Sequence, residues 1–145
     1  MCSWRLPKSH QWPGTSAQVS ARMAKVRSKD TEPEQLLSRF LIGQGFKFST
    51  NVSSLPGRPD IVFADQKVVV FVNGCFWHGH VGCRRATIPQ RNREIWAAKI
   101  QANVQRDSRV SRTLRNAGWS VLKIWECQRS EKELQKFLRR LLKKM

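Results

Sequence analysis

Apolar positions switch between helical and strand-like spacing several times between Thr31 and the C-terminus. In "TEPEQLLSRFLIGQGF", Leu36, Leu37, Phe40 and Leu41 recur at helical spacing. Thr31 and Glu34 form a capping-box pair, Pro33 is tolerated in the first turn, and Gly43 or Gly45 ends the run. "FKFST" alternates like a short strand. "LPGRPD", with two prolines and a glycine, must turn. "IVFA", the polar "DQK" and "VVVFVN" then read as a hairpin, whose second strand is apolar on both faces and therefore central. Residues 91–117 return to helical spacing: Ile95, Trp96, Ile100 and Val104 share a broad face that Val110 and Leu114 continue. A break near Asp107–Ser108 is allowed. "WSVLKIWEC" is a further strand. Ser130 and Glu133 then open an amphipathic helix with Leu134, Phe137, Leu138, Leu141 and Leu142 inside.

The order helix, strand, strand, strand, helix, strand, helix predicts an α/β domain, a mixed sheet flanked by helices. No repeat and no second domain is evident. Residues 1–20 carry Pro, Gly, Ser and scattered Trp without periodicity and read as a flexible leader. Residues 21–30 form a basic arm, and residues 31–145 the folded domain.

Charge narrows the partners. The 145 residues hold 27 Lys+Arg against 10 Asp+Glu, a net +17, spread over arm, middle and tail rather than along one helix. Such a surface attracts polyanions, and nucleic acid outranks an anionic membrane. No apolar run approaches the ~20 residues of a membrane span. The first residues lack the apolar centre of an export signal, so no export is expected.

The chemistry concentrates in "NGCFWHGHVGC", residues 73–83. Cys75-x4-His80-x2-Cys83, joined by Cys127 at a strand end, offers a Cys3His set typical of structural zinc. Cys75-x2-His78 is the alternative pairing, but three thiolates leave room for one histidine. Without export, metal ligation outranks disulfides. Phe76 and Trp77 lie between the ligands, either as core or as a wedge held out to unstack base pairs. Asp60, opening a strand after Pro59, is either a turn aspartate or a carboxylate for a hard cation such as Mg2+. His78 suits a general base that activates water. Asp107 could orient it or simply lie on a solvated helical face. Glu34 is explained as a helix cap.

Together, "ARMAKVRSKDTEPE", "SLPGRPDIVF", "VVVFVNGCFWHGHVGC", "EIWAAKIQANVQRD" and "GWSVLKIWEC" resemble the very-short-patch (Vsr-type) mismatch repair endonucleases over residues 20–127. The resemblance implies a restriction-endonuclease-like core and Mg2+-dependent nicking of double-stranded DNA beside a T:G mismatch, the product of 5-methylcytosine deamination. It implies that Asp60 binds Mg2+ with help from the Val72 backbone carbonyl, that His78 activates water, that Asp107 supports His78, and that Glu34 lies near the metal. Phe76, Trp77 and Trp96 would intercalate. Arg22, Met23, Lys25 and Arg27 of the arm would clamp the duplex. Cys75, His80, Cys83 and Cys127 would hold structural Zn2+. A monomer in the bacterial cytoplasm, at the nucleoid and in contact with mismatch-repair proteins, is the matching expectation. Two other readings are a non-catalytic zinc-stabilised DNA-binding module and a nuclease of the same fold with different DNA specificity.

Overall fold

The computed structural model describes residues 30–145. The leader and arm residues 21–29, with Arg22, Met23, Lys25 and Arg27, lie outside the described residues. Element order follows the sequence pattern: α1 (Glu32–Gly43), β1 (Ser49–Thr50), β2 (Ile61–Phe63), β3 (Val68–Asn73), a 3-10 turn (Arg84–Ala86), α2 (Arg93–Asn116), β4 (Ser120–Trp125) and α3 (Glu131–Leu142). The sheet has the order β1-β2-β3-β4, antiparallel across the first two pairs and parallel between β3 and β4. This is the mixed α/β sheet that the pattern predicts.

Every residue of β3 is buried, because both of its faces are covered. Val68, Val70 and Val72 join Leu37 and Leu41 of α1 and Leu134, Phe137 and Leu141 of α3 in one core. Val69 and Phe71 point the other way, into a smaller core with Leu114 and Val110 of α2. Period-two alternation thus puts α2 on one side of the sheet and α1 and α3 on the other.

Four local expectations are corrected. "FKFST" pairs only at Ser49–Thr50, since Phe46 and Phe48 turn in to meet the Phe63 ring edge-on at 5.9 and 5.7 Å. Helix α2 runs unbroken through Asp107–Ser108. Val104 and Leu142 are 41 % and 55 % exposed, because helical spacing carries them to the rim of their apolar faces. Thr31 makes no side-chain cap to the backbone of α1. Its hydroxyl instead donates to Glu34 Oε1 at 3.0 Å, while Glu34 Oε2 accepts the Asp30 N–H at 3.0 Å. Ser130 does cap α3, accepting the Glu133 N–H at 3.3 Å.

Candidate active site and metal centre

The parallel register sets the site. Asn73 lies opposite Trp125 at the ends of β3 and β4, so Cys75 and Cys127, each two residues further on, leave the sheet side by side. Glu126 extends the pairing: its N–H donates to the Asn73 carbonyl at 2.9 Å, and its Oε1 accepts the Cys75 N–H at 3.1 Å. The loop then turns back on itself through His78 N–H to Gly74 O at 3.2 Å and His80 N–H to Cys75 O at 2.9 Å. Gly79, between the histidines, has φ +61, and a Cβ there would stand 3.0 Å from Ile100 Cγ2. A side chain would strain the backbone and push the loop off α2.

Donor atoms of Cys75, His80, Cys83 and Cys127 lie within 4.8 Å of one another. His80 Nδ1 is 3.4 Å from Cys75 Sγ and 3.5 Å from Cys127 Sγ. Sulfur and nitrogen ligands on one tetrahedral zinc stand about 3.5 Å apart, given bond lengths near 2.3 and 2.05 Å. The donor set therefore fits a metal, and zinc in particular. The His80 ring stacks on Trp125 at 4.1 Å, which fixes its plane. Burial pushes the Cys75 thiol up to about 12. A metal must displace that proton.

His78 is outside this cluster. Its Nδ1 pairs with the Asp107 carboxylate across from α2. Burial alone would raise Asp107, but the bond to His78 and the charges of His78, Lys123 and Arg106 outweigh it and hold the carboxyl below the usual range. Such a pair can fix the imidazole tautomer and stabilise its protonated form.

Asp60 stands where the β2–β3 ladder begins, and it is 3 % exposed. Its N–H donates to Val70 O at 3.0 Å, and its Oδ2 accepts the Val72 N–H at 2.7 Å. Oδ1 is buried with no partner among the described residues. Burial raises Asp60 above the ordinary carboxylate range, against the pull of the Val72 N–H and His78. An unsatisfied buried carboxylate oxygen is what a divalent cation would relieve. Glu34 faces Asp60 across a cavity of about 320 Å3 shared with Asp30, Thr50 and Asn51. Burial and the Asp60 charge push Glu34 from 4.5 to about 7.

Phe76, Trp77 and Trp96 form a half-buried edge-to-face trio with centroids 5.2, 5.5 and 6.1 Å apart, set between the loop and the first turn of α2. Lys99 Nζ lies 5.4 Å from the Trp96 ring centre. Asn103 Nδ2 donates to the Trp77 carbonyl at 2.9 Å, tying the loop to α2. Two of the ties, Glu126 and Asn103, lie within "GWSVLKIWEC" and "EIWAAKIQANVQRD", stretches that by themselves assign neither residue a role. The place of Glu126 between a strand end and a ligand is a signal that could have found it. Asn103 carries no such signal.

The family model described as DNA mismatch endonuclease Vsr matches residues 14–85. The type II nicking enzyme V.XorIIP of Xanthomonas oryzae pv. oryzae is 44% identical over 109 residues, covering 75% of this chain and 79% of the relative. V.NmeAIP, a type II nicking enzyme of Neisseria meningitidis, is 40% identical over 120 residues, 83% of this chain and 85% of its own. The DNA mismatch endonuclease Vsr of Escherichia coli is 43% identical over 108 residues, 74% and 69% of the two chains.

Proposed function

The chain belongs to the DNA mismatch endonuclease Vsr family, and from that membership we propose that it is a hydrolase that nicks one strand of duplex DNA beside a T:G mismatch, with Mg2+ as cofactor. One observation carries the reading: a single loop bearing three of the four clustered Cys and His donors joins the aromatic trio to the His78–Asp107 pair, at the strand end where Asp60 presents its unpartnered oxygen. A DNA-binding module alone has no use for the carboxylate and the imidazole together.

In this reading Asp60, with the Val72 carbonyl, holds Mg2+, which would supply stabilisation of negative charge on the phosphate. Glu34 stands close by. His78 takes a proton from water as the water oxygen adds to phosphorus and one P–O ester bond breaks, its oxygen leaving with the bonding pair and taking a proton from solvent to become a free hydroxyl on the nicked strand. Asp107 holds Nδ1 of the imidazole, so that the other ring nitrogen is the one that accepts the proton. Phe76, Trp77 and Trp96 enter the stack at the mismatch, and Arg22, Met23, Lys25 and Arg27 clamp the duplex. Cys75, His80, Cys83 and Cys127 hold Zn2+, which pins the loop so that recognition positions chemistry. The enzyme acts as a monomer on chromosomal DNA in the cytoplasm, beside other mismatch-repair proteins. No helix among the described residues is long and apolar enough to cross a membrane.

The test is a nicking assay on labelled duplexes that differ only in one T:G or C:G pair, with Mg2+ and with Mg2+ omitted. Cutting of only the T-bearing strand, at the mismatch and with Mg2+, is the expected result. Equal cutting of both duplexes would keep the nuclease and discard mismatch recognition. Salt-sensitive binding without cutting would favour the binding module.

A further inference from the structure

The His78–Asp107 pair itself forms part of the wall of a cavity of about 210 Å3 on the α2 side of the sheet. It has room for about seven waters, at roughly 30 Å3 each, or for one tetrahedral oxyanion with part of its hydration. Arg58, Arg106 and Lys123 line it, and Asp107 is the one acid among the described lining residues. That acid is committed to His78. The remaining balance at the cavity is positive.

Ser111 adds the decisive detail. It lines the same cavity one helical turn beyond Asp107, it is 4 % exposed, and its Oγ has no partner among the described residues. A buried hydroxyl left unpaired costs on the order of 1–3 kcal/mol, so such a group calls for a partner. Lys123 sits on β4, which pairs with the central strand, and Arg140 holds the Lys123 backbone carbonyl at 3.3 Å. The ammonium is thus presented from a fixed strand. A lysine rooted on a fixed strand and a buried O–H donor over a small cavity match the oxygens of a phosphate diester.

We propose that this cavity is an oxyanion subsite, in which Lys123 and the Ser111 hydroxyl seat the internucleotide phosphate next to the one that is cut. The assignment of the phosphate rests on the nicking function proposed above; the affinity for an oxyanion does not. Seating the neighbouring phosphate would fix the strand on both sides of the scissile bond, which a base on a loop needs in order to meet its water in line. The plainer account is a hydrated pocket in which Lys123 only keeps Asp107 ionised.

Two experiments on the full chain, both without Mg2+, separate these accounts. Sodium orthophosphate is titrated at constant ionic strength while amide resonances are followed by NMR. Saturable shifts at Asn73, Ser111 and Lys123 are expected. Lys123→Gln should weaken them at least tenfold, whereas Lys136→Gln, on the far side of the sheet, leaves them unchanged. Absence of saturation, or equal affinity in Lys123→Gln, overturns the subsite. In the second experiment, mismatched duplexes carry one neutral methylphosphonate at either phosphate flanking the scissile one. Wild type should lose affinity at one of the two positions, and Lys123→Gln should lose nothing further there. Additive losses at both positions would overturn the assignment to an internucleotide phosphate. Orthophosphate binding in a protein that never nicks would count against the nuclease and leave the oxyanion site standing.

Discussion

Glu34→Gln should change how stability depends on pH, and the direction follows from where Glu34 sits. It is 7 % exposed, faces Asp60 over a shared cavity, and is raised from 4.5 to about 7 by burial and then by the Asp60 charge. Folded protein therefore holds the proton more tightly than unfolded chain. For an acid raised in this way, the stabilising effect is full below 4.5 and is lost as pH climbs through about 7. At ~1.36 kcal/mol per pH unit, the loss between pH 5 and pH 8 is at most about 2.5 kcal/mol. It is an upper bound because the cavity admits solvent. Glutamine cannot ionise, so it escapes this loss, but it offers one acceptor where Glu34 serves both the Asp30 N–H and the Thr31 hydroxyl. The second acceptor belongs to the ionised carboxylate: below about 7, folded Glu34 carries its proton and, like glutamine, has one carbonyl acceptor and a donor. The variant should thus lie close to wild type at pH 5 and be more stable than it at pH 8. Urea unfolding of both proteins at pH 5, 6, 7 and 8, in Mg2+-free buffer with zinc retained, reads the difference. A difference that does not vary with pH would refute the reasoning. A stabilised variant that has lost nicking would mark Glu34 as a carboxylate kept at a cost to the fold for its work beside Asp60.

Asp60→Ala should abolish nicking, by at least about 10³-fold, while duplex affinity by titration stays within a few-fold; an active variant would remove Asp60 from the site. Trp77→Ala should lower the preference for mismatched over matched duplex by roughly 5- to 150-fold, the ~1–3 kcal/mol of one aromatic–base stack, and unchanged preference would make Trp77 a core residue. Metal analysis should find about one zinc per chain, and zinc affinity should fall with acidification because the Cys75 thiol, at about 12 without metal, must give up its proton. A fully folded, metal-free protein with native thermal stability would refute that role for the cluster.

Element order and type are set by the sequence, because they depend on neighbours a few residues apart. The valines of 68–72 could only be a strand covered on both faces, and the spacing of Leu134, Phe137 and Leu141 could only be an inward helical stripe. The Cys and His spacing by itself likewise marks a metal loop, since so many ligand-type side chains in one region depart far from ordinary composition. Which histidine joins the thiols is less evident, and the fold supplies the separation. Gly79 turns the chain between His78 and His80, so one ring meets Asp107 of α2 and the other stacks on Trp125 of β4. Only the tertiary structure brings Cys127 to Cys75, through a parallel register set by residues about fifty positions apart. The same holds for the charge states. Asp60, Glu34 and Asp107 are three ordinary carboxylates in the bare sequence. Burial raises Asp60, burial and the Asp60 charge raise Glu34, and a bonded imidazole with neighbouring cations lowers Asp107, and no local pattern encodes those surroundings.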